Sequence, residues 1–187
     1  MPLDASRLDD LVRGRRSSLK LSADREIPAD LLAGLCELAT WAPNHHLTEP
    51  WQFAIVTGDG RRRLGDTIAD VQAAAGATDA AVAKTRAKYT RAAAVIVVGC
   101  APGVDAHRTG ENRDAVAAGI QNLLLGAHAR GLHALWSSVA TADSAELTAL
   151  CGFVPGTRAS GAIYLGWPEG EPARPRRSAP RVSWIEH

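Results

Sequence analysis

The sequence has no large excess of one charge and no long apolar run. Its 21 Lys and Arg residues nearly balance 20 Asp and Glu residues, which gives a formal net charge of +1 at pH 7. No global field therefore favours nucleic acid or a membrane surface as a partner. Every apolar run is broken after a few residues by Gly, Pro or a charge, so none is long enough to span a bilayer.

Cysteines are few, and the N-terminus lacks the apolar region of a secretory signal. Cys36, Cys100 and Cys151 are odd in number, widely spaced and set in apolar surroundings. This pattern favours small buried side chains in a reducing compartment, and no neighbouring base or cation favours a catalytic thiol. Residues 1–16 are acidic and then basic, without an apolar stretch. We expect a cytoplasmic protein.

Several motifs of phosphate and nucleophile chemistry are also missing. The sequence contains no Gly-x-Ser-x-Gly elbow, no Gly-Lys-Ser/Thr phosphate loop and no Gly-x-Gly-x-x-Gly fingerprint. His45 and His46 are adjacent, but neighbouring side chains are expected to diverge, and no Cys or carboxylate lies at ligand spacing. The sequence therefore predicts neither a metal site nor a catalytic dyad.

The hydrophobic pattern predicts one domain over residues 1–187. Apolar periodicity and turn residues predict helices over 4–13, 29–42, 61–75, 79–90, 112–130 and 143–151, and strands over 51–57, 93–100, 133–138 and 161–166. The strand at 93–100 is continuously apolar, which is typical of the middle of a sheet covered on both faces. The run Glu111–Asp114 is interpreted as a cap that compensates the dipole of the long helix.

The composition changes at Trp167. Residues 167–187 hold four of the ten prolines and several arginines, so they cannot form a regular helix or a central strand. Apolar side chains at Val182, Trp184 and Ile185 nevertheless stand at the extreme end. We interpret this segment as an extended arm that ends in a short edge strand.

Chemistry is most concentrated between Arg13 and Trp51. Arg15-Arg16-Ser17 offers guanidinium forks and a hydroxyl, which suit a phosphate group. A solvated helix end is the alternative interpretation of this triplet. The segment Trp41-Ala42-Pro43-Asn44-His45, followed by Glu49-Pro50-Trp51, predicts a helix, a sharp stop, a loop and a strand.

These features occur in an order that resembles the nitroreductase family of FMN oxidoreductases, in particular its short bacterial members. The resemblance covers roughly Leu8 to Trp184. It also uses Ile27-Pro28, the segment GLHALW at 131–136 and the segment YLGWP at 164–168. It implies an α+β fold with a small, mostly antiparallel sheet wrapped by helices. It further implies a homodimer in which the C-terminal arm crosses to the other protomer and adds to its sheet.

The resemblance also implies an FMN site at the dimer interface. The cofactor-binding residues that it suggests are Arg15, Arg16, Ser17, Trp41, His45, Trp136, Ser137, Ser138, Arg176 and Arg177. The triplet and the arm arginines would hold the phosphate, and Trp41 and His45 would come from the partner. Trp41 stands where Arg is often found, which would replace a polar contact with a stacking surface. Ser137 also stands where Arg is often found, so that one positive charge near the cofactor is missing. The residues alone leave alternatives: a core Trp136, a helix-end His45 and a solvated arginine patch.

The function implied by the resemblance is electron transfer from NAD(P)H to a nitroaromatic, quinone or similar acceptor by a ping-pong mechanism. The flavin carries the redox chemistry, so no catalytic side chain is expected. One alternative is a flavin-binding or storage protein, or a fold relic without reductase turnover. Another is a flavin-fragmenting or dehalogenating enzyme of the same fold. The sequence sets neither the acceptor nor the choice between NADH and NADPH.

Overall fold

A four-stranded antiparallel sheet forms the centre of the protein. The computed structural model describes residues 4–173 and 177–186. The strands are β1 Trp51–Val56, β2 Ala94–Cys100, β3 His133–Ser137 and β4 Arg158–Gly166, in the order β1-β2-β4-β3. The α-helices of the described ranges are α1 Ala5–Gly14, α2 Ala29–Thr40, α3 Gly60–Ala74, α4 Asp79–Arg86, α5 Ala106–Ala129 and α6 Ala145–Leu150. The predicted α+β fold is confirmed.

The strand β2 lies between β1 and β4, and every one of its residues is buried. Alternate side chains of β2 enter two cores because successive residues of a strand point to opposite faces. Ile96 and Val98 pack in a core with α2 and α5, whereas Val95 and Val97 pack in a core with α3. The continuous apolar run therefore predicted the position of this strand correctly.

Several predicted boundaries are wrong, and the long helix differs most. The helix α5 begins at Ala106, six residues earlier than predicted, because the Asp105 side chain caps it by accepting a hydrogen bond from the backbone N–H of Arg108 at 2.7 Å. The run Glu111–Asp114 therefore lies inside the helix and is not its cap. The helix α4 ends at Arg86, before a short 3-10 turn at Tyr89–Arg91, and β4 begins three residues earlier than predicted.

The segment after α1 runs along the free edge of β3. Ser17 forms a parallel bridge with Ala134, and the Ser18 N–H donates to the Ala134 carbonyl at 3.0 Å. A β-carbon on Gly14 would lie 2.9 Å from His128 Nε2, so the end of α1 approaches α5 this closely only with glycine at that position. The sequence thus brings Arg15–Ser17 to the C-terminal end of α5.

The opposite edge of the sheet is β1, where Ile55 is exposed. The described arm residues 177–186 form no helix or strand within the protomer. Val182, Trp184 and Ile185 are 64%, 84% and 91% exposed. The edge strand predicted for the arm is therefore not formed within one protomer, and its pairing with a partner stays a prediction. None of the described helices combines the length and apolarity needed to cross a membrane.

Candidate functional site

A cluster of cationic side chains lies where α1, β3 and the end of α5 meet. Arg15 and Arg16 are half-buried and follow α1 directly. Burial, and then the charges of both arginines, lower the pKa of His128 on α5. Arg177 of the arm also lies within electrostatic reach of Arg15. The structure therefore brings together the arginines of the predicted phosphate site and one predicted arm arginine; Arg176 lies outside the described residues.

Arg15 is the member of this cluster that lacks a partner. Its Nη1 atom is buried and has no hydrogen-bond acceptor among the described residues. Burial, followed by the charges of Arg16 and Arg177, lowers the pKa of this guanidinium. A buried donor without an acceptor costs free energy, and a nearby anion would remove that cost. The arrangement fits a ligand phosphate, which carries a charge of about −1.5 to −2 at pH 7.

Arg16 and Ser17 contribute to this region in different ways. Arg16 Nη1 donates to the carbonyl of Arg15 at 2.7 Å and to that of Arg13, so its guanidinium also caps the end of α1. Ser17 is exposed because its backbone pairs with Ala134 at the sheet edge. The hydroxyl of Ser17 is therefore free to meet a ligand, while Arg16 adds mainly positive charge.

The predicted residues of the flavin ring follow the same strand. Trp136 and Ser137 end β3, and Ser137 lies three residues beyond Ala134, about 10 Å along the strand. Trp136 is 40% exposed, and its Nε1 donates to the Ser160 carbonyl at 3.2 Å. It is thus not the core residue of the alternative interpretation. A cavity of about 550 Å³ opens beside Trp136 and Ser138 and reaches Arg113 and Arg158.

Ser137 does not stand alone at this end of β3. Lys88, from the segment between α4 and the 3-10 turn, donates from Nζ to Ser137 Oγ at 3.2 Å and to the Ser138 carbonyl at 3.3 Å. The positive charge that Ser137 cannot supply is therefore present, on a residue distant in sequence. No motif in the sequence pointed to Lys88.

Trp41 and His45 follow the C-terminal end of α2 and lie near the start of α5, whereas the Arg15 cluster lies at the end of α5. Trp41 is 76% exposed, and its Nε1 donates to Glu37 Oε1 at 2.6 Å. His45 Nδ1 lies 2.7 Å from Glu111 Oε1. In the described part of the protomer their polar contacts are with these carboxylates and not with the Arg15 cluster. Both side chains are exposed, and their contact with a second protomer stays a prediction.

The loop after α2 holds His45 and His46 closer together than the sequence suggested. Their ring centroids are 3.7 Å apart, so the expectation that adjacent side chains diverge is wrong here. His46 has a φ of 64°, a left-handed backbone that is uncommon for a non-glycine residue. The ligating atoms of His45, His46 and Glu111 lie within 4.8 Å of one another. Glu111 Oε2 also lies 3.3 Å from Arg108 Nη1, within ion-pair distance but without a hydrogen bond between the two atoms, and the absence of a metal stays a prediction.

The thiols are unsuited to nucleophilic chemistry. Burial raises the pKa of Cys36 and of Cys151 to about 11, and it also raises the pKa of Cys100. All three cysteines are free. The thiolate is the reactive form of cysteine, and these groups stay protonated at neutral pH. The three residues act as packing side chains.

Sequence reasoning missed three residues of the site: His128, Lys88 and Glu111. His128 and Lys88 reach the site only through the packing of α5 and of the 3-10 turn. Glu111 was interpreted as a helix cap, although it pairs with a histidine 66 positions away. A single sequence carries no signal for such long-range pairs, because each residue occurs in an ordinary helical context.

Known proteins share both the sequence pattern and the fold. YdjA of Escherichia coli K12, provisionally named an NAD(P)H nitroreductase, is 28% identical over 162 residues, which is 86% of this chain and 87% of YdjA. A nitroreductase-like family protein from Bacillus cereus superimposes with a TM-score of 0.83 at 27% identity, with complete coverage of both chains. A Bacteroides fragilis nitroreductase crystallised with FMN superimposes with a TM-score of 0.77 at 22% identity, over 96% of this chain and 98% of its own.

The family model for nitroreductases matches residues 12–167. This range begins just before Arg15 and ends at Trp167, so it contains the sheet, Arg15, Arg16 and His128 of the cation cluster, and the end of β3. The resemblance drawn from the sequence is thus confirmed, and the chain belongs to the nitroreductase family.

Proposed function

We propose that this protein transfers electrons from NAD(P)H through bound FMN to nitroaromatic, quinone or similar acceptors, in alternating half-reactions. Within the nitroreductase family it is an NAD(P)H-dependent oxidoreductase that uses FMN. The identity of the acceptors and the ping-pong order are the finer parts of the proposal. E. coli YdjA carries NAD(P)H in its name, and the B. fragilis neighbour binds FMN.

The observation that carries the proposal is the unpaired guanidinium of Arg15. A half-buried cation that faces two other arginines and lacks an acceptor is unfavourable unless an anion joins it. The FMN phosphate supplies two negative charges at most, which is sufficient to offset such a cluster. Ser17 would add a neutral donor beside it. We propose as further phosphate ligands two arginines of the arm, Arg176 and Arg177.

The end of β3 would hold the flavin ring. Trp136, Ser137 and Ser138 offer an aromatic face, a hydroxyl and backbone groups along the same edge that Ser17 reaches. When bound, FMN supplies the redox chemistry by accepting a hydride from the nicotinamide and passing electrons to the acceptor. The protein has to position the rings and to leave one face open, because hydride transfer depends on distance and alignment.

The mechanism therefore assigns orientation, and not acid–base chemistry, to the side chains. Trp41 would cover the pocket of the second protomer with a flat aromatic surface. Glu111 fixes the orientation of the His45 ring, because its Oε1 lies 2.7 Å from Nδ1. Nε2 of His45 would then be the atom that contacts a ligand. The pKa of Glu111 is lowered, first by its hydrogen bond with His45, which keeps this carboxylate ionised at neutral pH.

The homodimer is part of the same proposal. Three apolar side chains of the arm are exposed in one protomer, and so are Trp41 and Leu47, at 76% and 82%. A cavity of about 580 Å³ lies beside the β1 edge between Ile27, Ile55 and Arg61, with Asp24 and Glu26 on its wall. An arm rich in arginine and ending in Trp184 and Ile185 complements this acidic, partly apolar groove.

The test of the function begins with the absorption spectrum of protein purified without added cofactor. We expect the flavin bands of bound FMN, released on denaturation and identified by mass. Oxidation of NADPH with a quinone or a nitroaromatic compound should then show parallel-line kinetics. Colourless protein that fails to take up added FMN would contradict the proposal and favour a fold relic. Bound FMN without turnover would favour a flavin-binding or storage protein.

A flavin-fragmenting or dehalogenating enzyme would instead consume FMN or release halide, which product analysis detects. No structural feature of the described residues favours these alternatives over reductase chemistry. A cytoplasmic location stays a prediction from the sequence.

A further inference from the structure

Three histidines meet at one carboxylate where the loop after α2 contacts the first turns of α5. His45 Nδ1 lies 2.7 Å from Glu111 Oε1, and His107 Nε2 lies 3.6 Å from the same oxygen atom. The ligand atoms of His45, His46 and Glu111 all lie within 4.8 Å of one another. The chain has only 6 histidines, so this grouping takes half of them.

The structure removes the two reasons for which the sequence predicts no metal here. The side chains of His45 and His46 do not diverge, because their ring centroids are 3.7 Å apart. A carboxylate is also present, because α5 brings Glu111 to this loop from 66 positions away.

The backbone of the loop after α2 sets the direction of the His46 ring. His46 has a φ of 64°, and Leu47 and Glu49 have φ values of 51° and 45°. A left-handed backbone costs free energy in a non-glycine residue, and such residues are concentrated at active sites and ligand sites. In this loop the unfavourable conformation places two adjacent imidazoles beside one carboxylate.

Hydrogen bonds fix the same loop against α5. Thr48 Oγ1 donates to Asn112 Oδ1 at 2.6 Å, and Asn112 is only 2% exposed. Asn112 Nδ2 donates in turn to the Ala101 carbonyl at 3.1 Å. Asn44 Oδ1 accepts from the Glu49 N–H at 2.7 Å. The loop is therefore preorganised, which lowers the entropic cost of binding an ion.

Arg108 pairs with the other oxygen atom of Glu111. Its Nη1 lies 3.3 Å from Oε2, whereas the histidines approach Oε1. A carboxylate has two oxygen atoms and about four lone pairs, so Glu111 can pair with a guanidinium and bind an ion at the same time. Carboxylate ligands of metals commonly have such an outer partner, which holds their orientation.

We propose that His45, His46 and Glu111 bind a divalent transition-metal ion such as Zn²⁺, with His107 as the fourth ligand. Imidazole nitrogen and carboxylate oxygen suit Zn²⁺, Cu²⁺ and Ni²⁺, whereas Mg²⁺ and Ca²⁺ prefer oxygen ligands alone. The ion replaces the His45–Glu111 hydrogen bond and joins the loop after α2 to α5. It takes Nδ1 of His45, so Nε2 stays available to a ligand of the proposed flavin pocket.

The test measures Zn²⁺ binding to the full-length, untagged protein as purified, by isothermal titration calorimetry at about pH 7.5, where free imidazole is mostly neutral. We expect one ion per chain. His46→Asn removes one imidazole and retains a residue type that tolerates the left-handed backbone. Glu111→Gln removes the charged ligand. Each change should weaken Zn²⁺ binding at least tenfold, because even residues outside the ligand shell contribute about 10- to 100-fold.

His133→Gln is the matched control, because His133 begins β3, far along the chain from this cluster, and donates or accepts at the Lys20 carbonyl. It should leave the Zn²⁺ affinity unchanged. X-ray absorption at the zinc edge should show imidazole and oxygen ligands without sulfur. Sulfur ligands would overturn the assignment, since they would identify the cysteines as the binding residues.

Circular dichroism shows whether each variant is folded, and either His46→Asn or Glu111→Gln is sufficient for the decision. A folded variant that keeps the wild-type affinity would overturn the proposal, as would a wild-type protein that takes up no Zn²⁺ at micromolar concentration. The inference does not depend on the proposed function. Protein that lacks FMN or reductase activity but binds Zn²⁺ through these residues would contradict that function and still support the metal site.

Discussion

Arg15 and Arg86 are arginines in the same small protein with opposite surroundings. Arg86, at the end of α4, donates to Asp66 at 2.8 Å and to Asp70 at 2.7 Å, and these hydrogen bonds raise its pKa. Arg15 is half-buried beside other cations, without an acceptor at Nη1, and its pKa is lowered. The first arginine is satisfied within the chain, whereas Nη1 of the second has no acceptor within residues 4–173 and 177–186.

The difference distinguishes a structural cation from a ligand-binding one. A folded protein seldom leaves a buried donor unsatisfied, so the exceptions mark places where a missing group belongs. Arg15 at one end of the β3 edge is such an exception among the described residues, whereas Lys88 at the other end is hydrogen-bonded to Ser137 and Ser138. We propose that these two cations mark the two ends of the FMN site.

The largest effect is expected from the arm, because the proposed homodimer depends on its exposed apolar side chains. Trp184→Ala removes a large apolar side chain that is 84% exposed in one protomer. A buried interface Trp is worth at least about 2 kcal/mol, and a symmetric dimer loses two copies. We expect the dimer dissociation constant to rise roughly a thousandfold, measured by sedimentation at decreasing concentration.

Val154→Ala is a suitable control for this change, since Val154 is also exposed but lies between α6 and β4. A wild-type protein that sediments as a stable, FMN-loaded monomer at micromolar concentration would contradict the dimer and the arm exchange together.

Arg15→Ala tests the comparison directly. Removing one charged hydrogen bond to the phosphate should weaken FMN binding by about 1.5–3 kcal/mol, or roughly 10- to 150-fold in the dissociation constant. Quenching of FMN fluorescence by the apoprotein measures this affinity. The same variant should unfold at an equal or higher temperature without FMN, because it removes an unpaired guanidinium.

Arg86→Ala is the matched control. It should leave FMN affinity unchanged and lower the free energy of unfolding by less than about 1 kcal/mol, since exposed ion pairs contribute little. If Arg15→Ala leaves FMN affinity within twofold of the wild type, the assignment of the phosphate site is wrong.

Much of the fold was predictable from the sequence, and the reasons are local. The unbroken apolar run of β2 predicts a buried strand. Gly131, with a φ of 75°, follows the end of α5, as the sequence predicted. The start of α5 was not predictable from periodicity, because its first turn is polar and depends on the Asp105 cap. Hydrophobic periodicity identifies the apolar face of a helix, but it gives no signal for a polar first turn.

The candidate site was predictable only where its residues are contiguous in the sequence. Arg15-Arg16-Ser17 could be interpreted because the triplet combines chemistry suited to one ligand. Lys88 could not, since its meaning arises from the Ser137 and Ser138 oxygens 49 and 50 positions away. His45 and Glu111 form a pair for the same reason. Tertiary packing creates these long-range contacts, and a single sequence gives no local pattern from which they can be predicted.

A smaller effect is expected at His45, which is an intermediate case because its partner carboxylate, Glu111, also lies 3.3 Å from Arg108. His45→Ala should lower the rate of flavin reduction by NADPH less than tenfold, mainly through weaker nicotinamide binding, since His45 positions and does not transfer protons. Rapid mixing with direct observation of flavin bleaching measures this rate. A thousandfold decrease with FMN fully bound would show general acid catalysis and contradict this account.

The smallest effect concerns pH and His128. Burial and then the charges of Arg15, Arg16 and His133 lower the pKa of His128 from its ordinary value of 6.5. The folded apoprotein therefore holds this imidazole neutral at pH values where the unfolded chain already binds a proton. Stability that is fully present above pH 6.5 is thus lost as pH falls from 6.5 through the lower pKa of the folded state.

His128→Gln removes this titration and retains a polar side chain of similar reach against Gly14. We expect the wild type to lose more thermal stability than His128→Gln when the apoprotein is taken from pH 7.5 to 5.5, with His107→Gln, at the exposed start of α5, behaving as the wild type. Saturating FMN should reduce or reverse the difference, because a phosphate beside His128 favours the protonated imidazole. Parallel pH profiles for the wild type and His128→Gln, with and without FMN, would show that His128 does not belong to the cation cluster. The contrast with Arg86 would then rest on Arg15 alone.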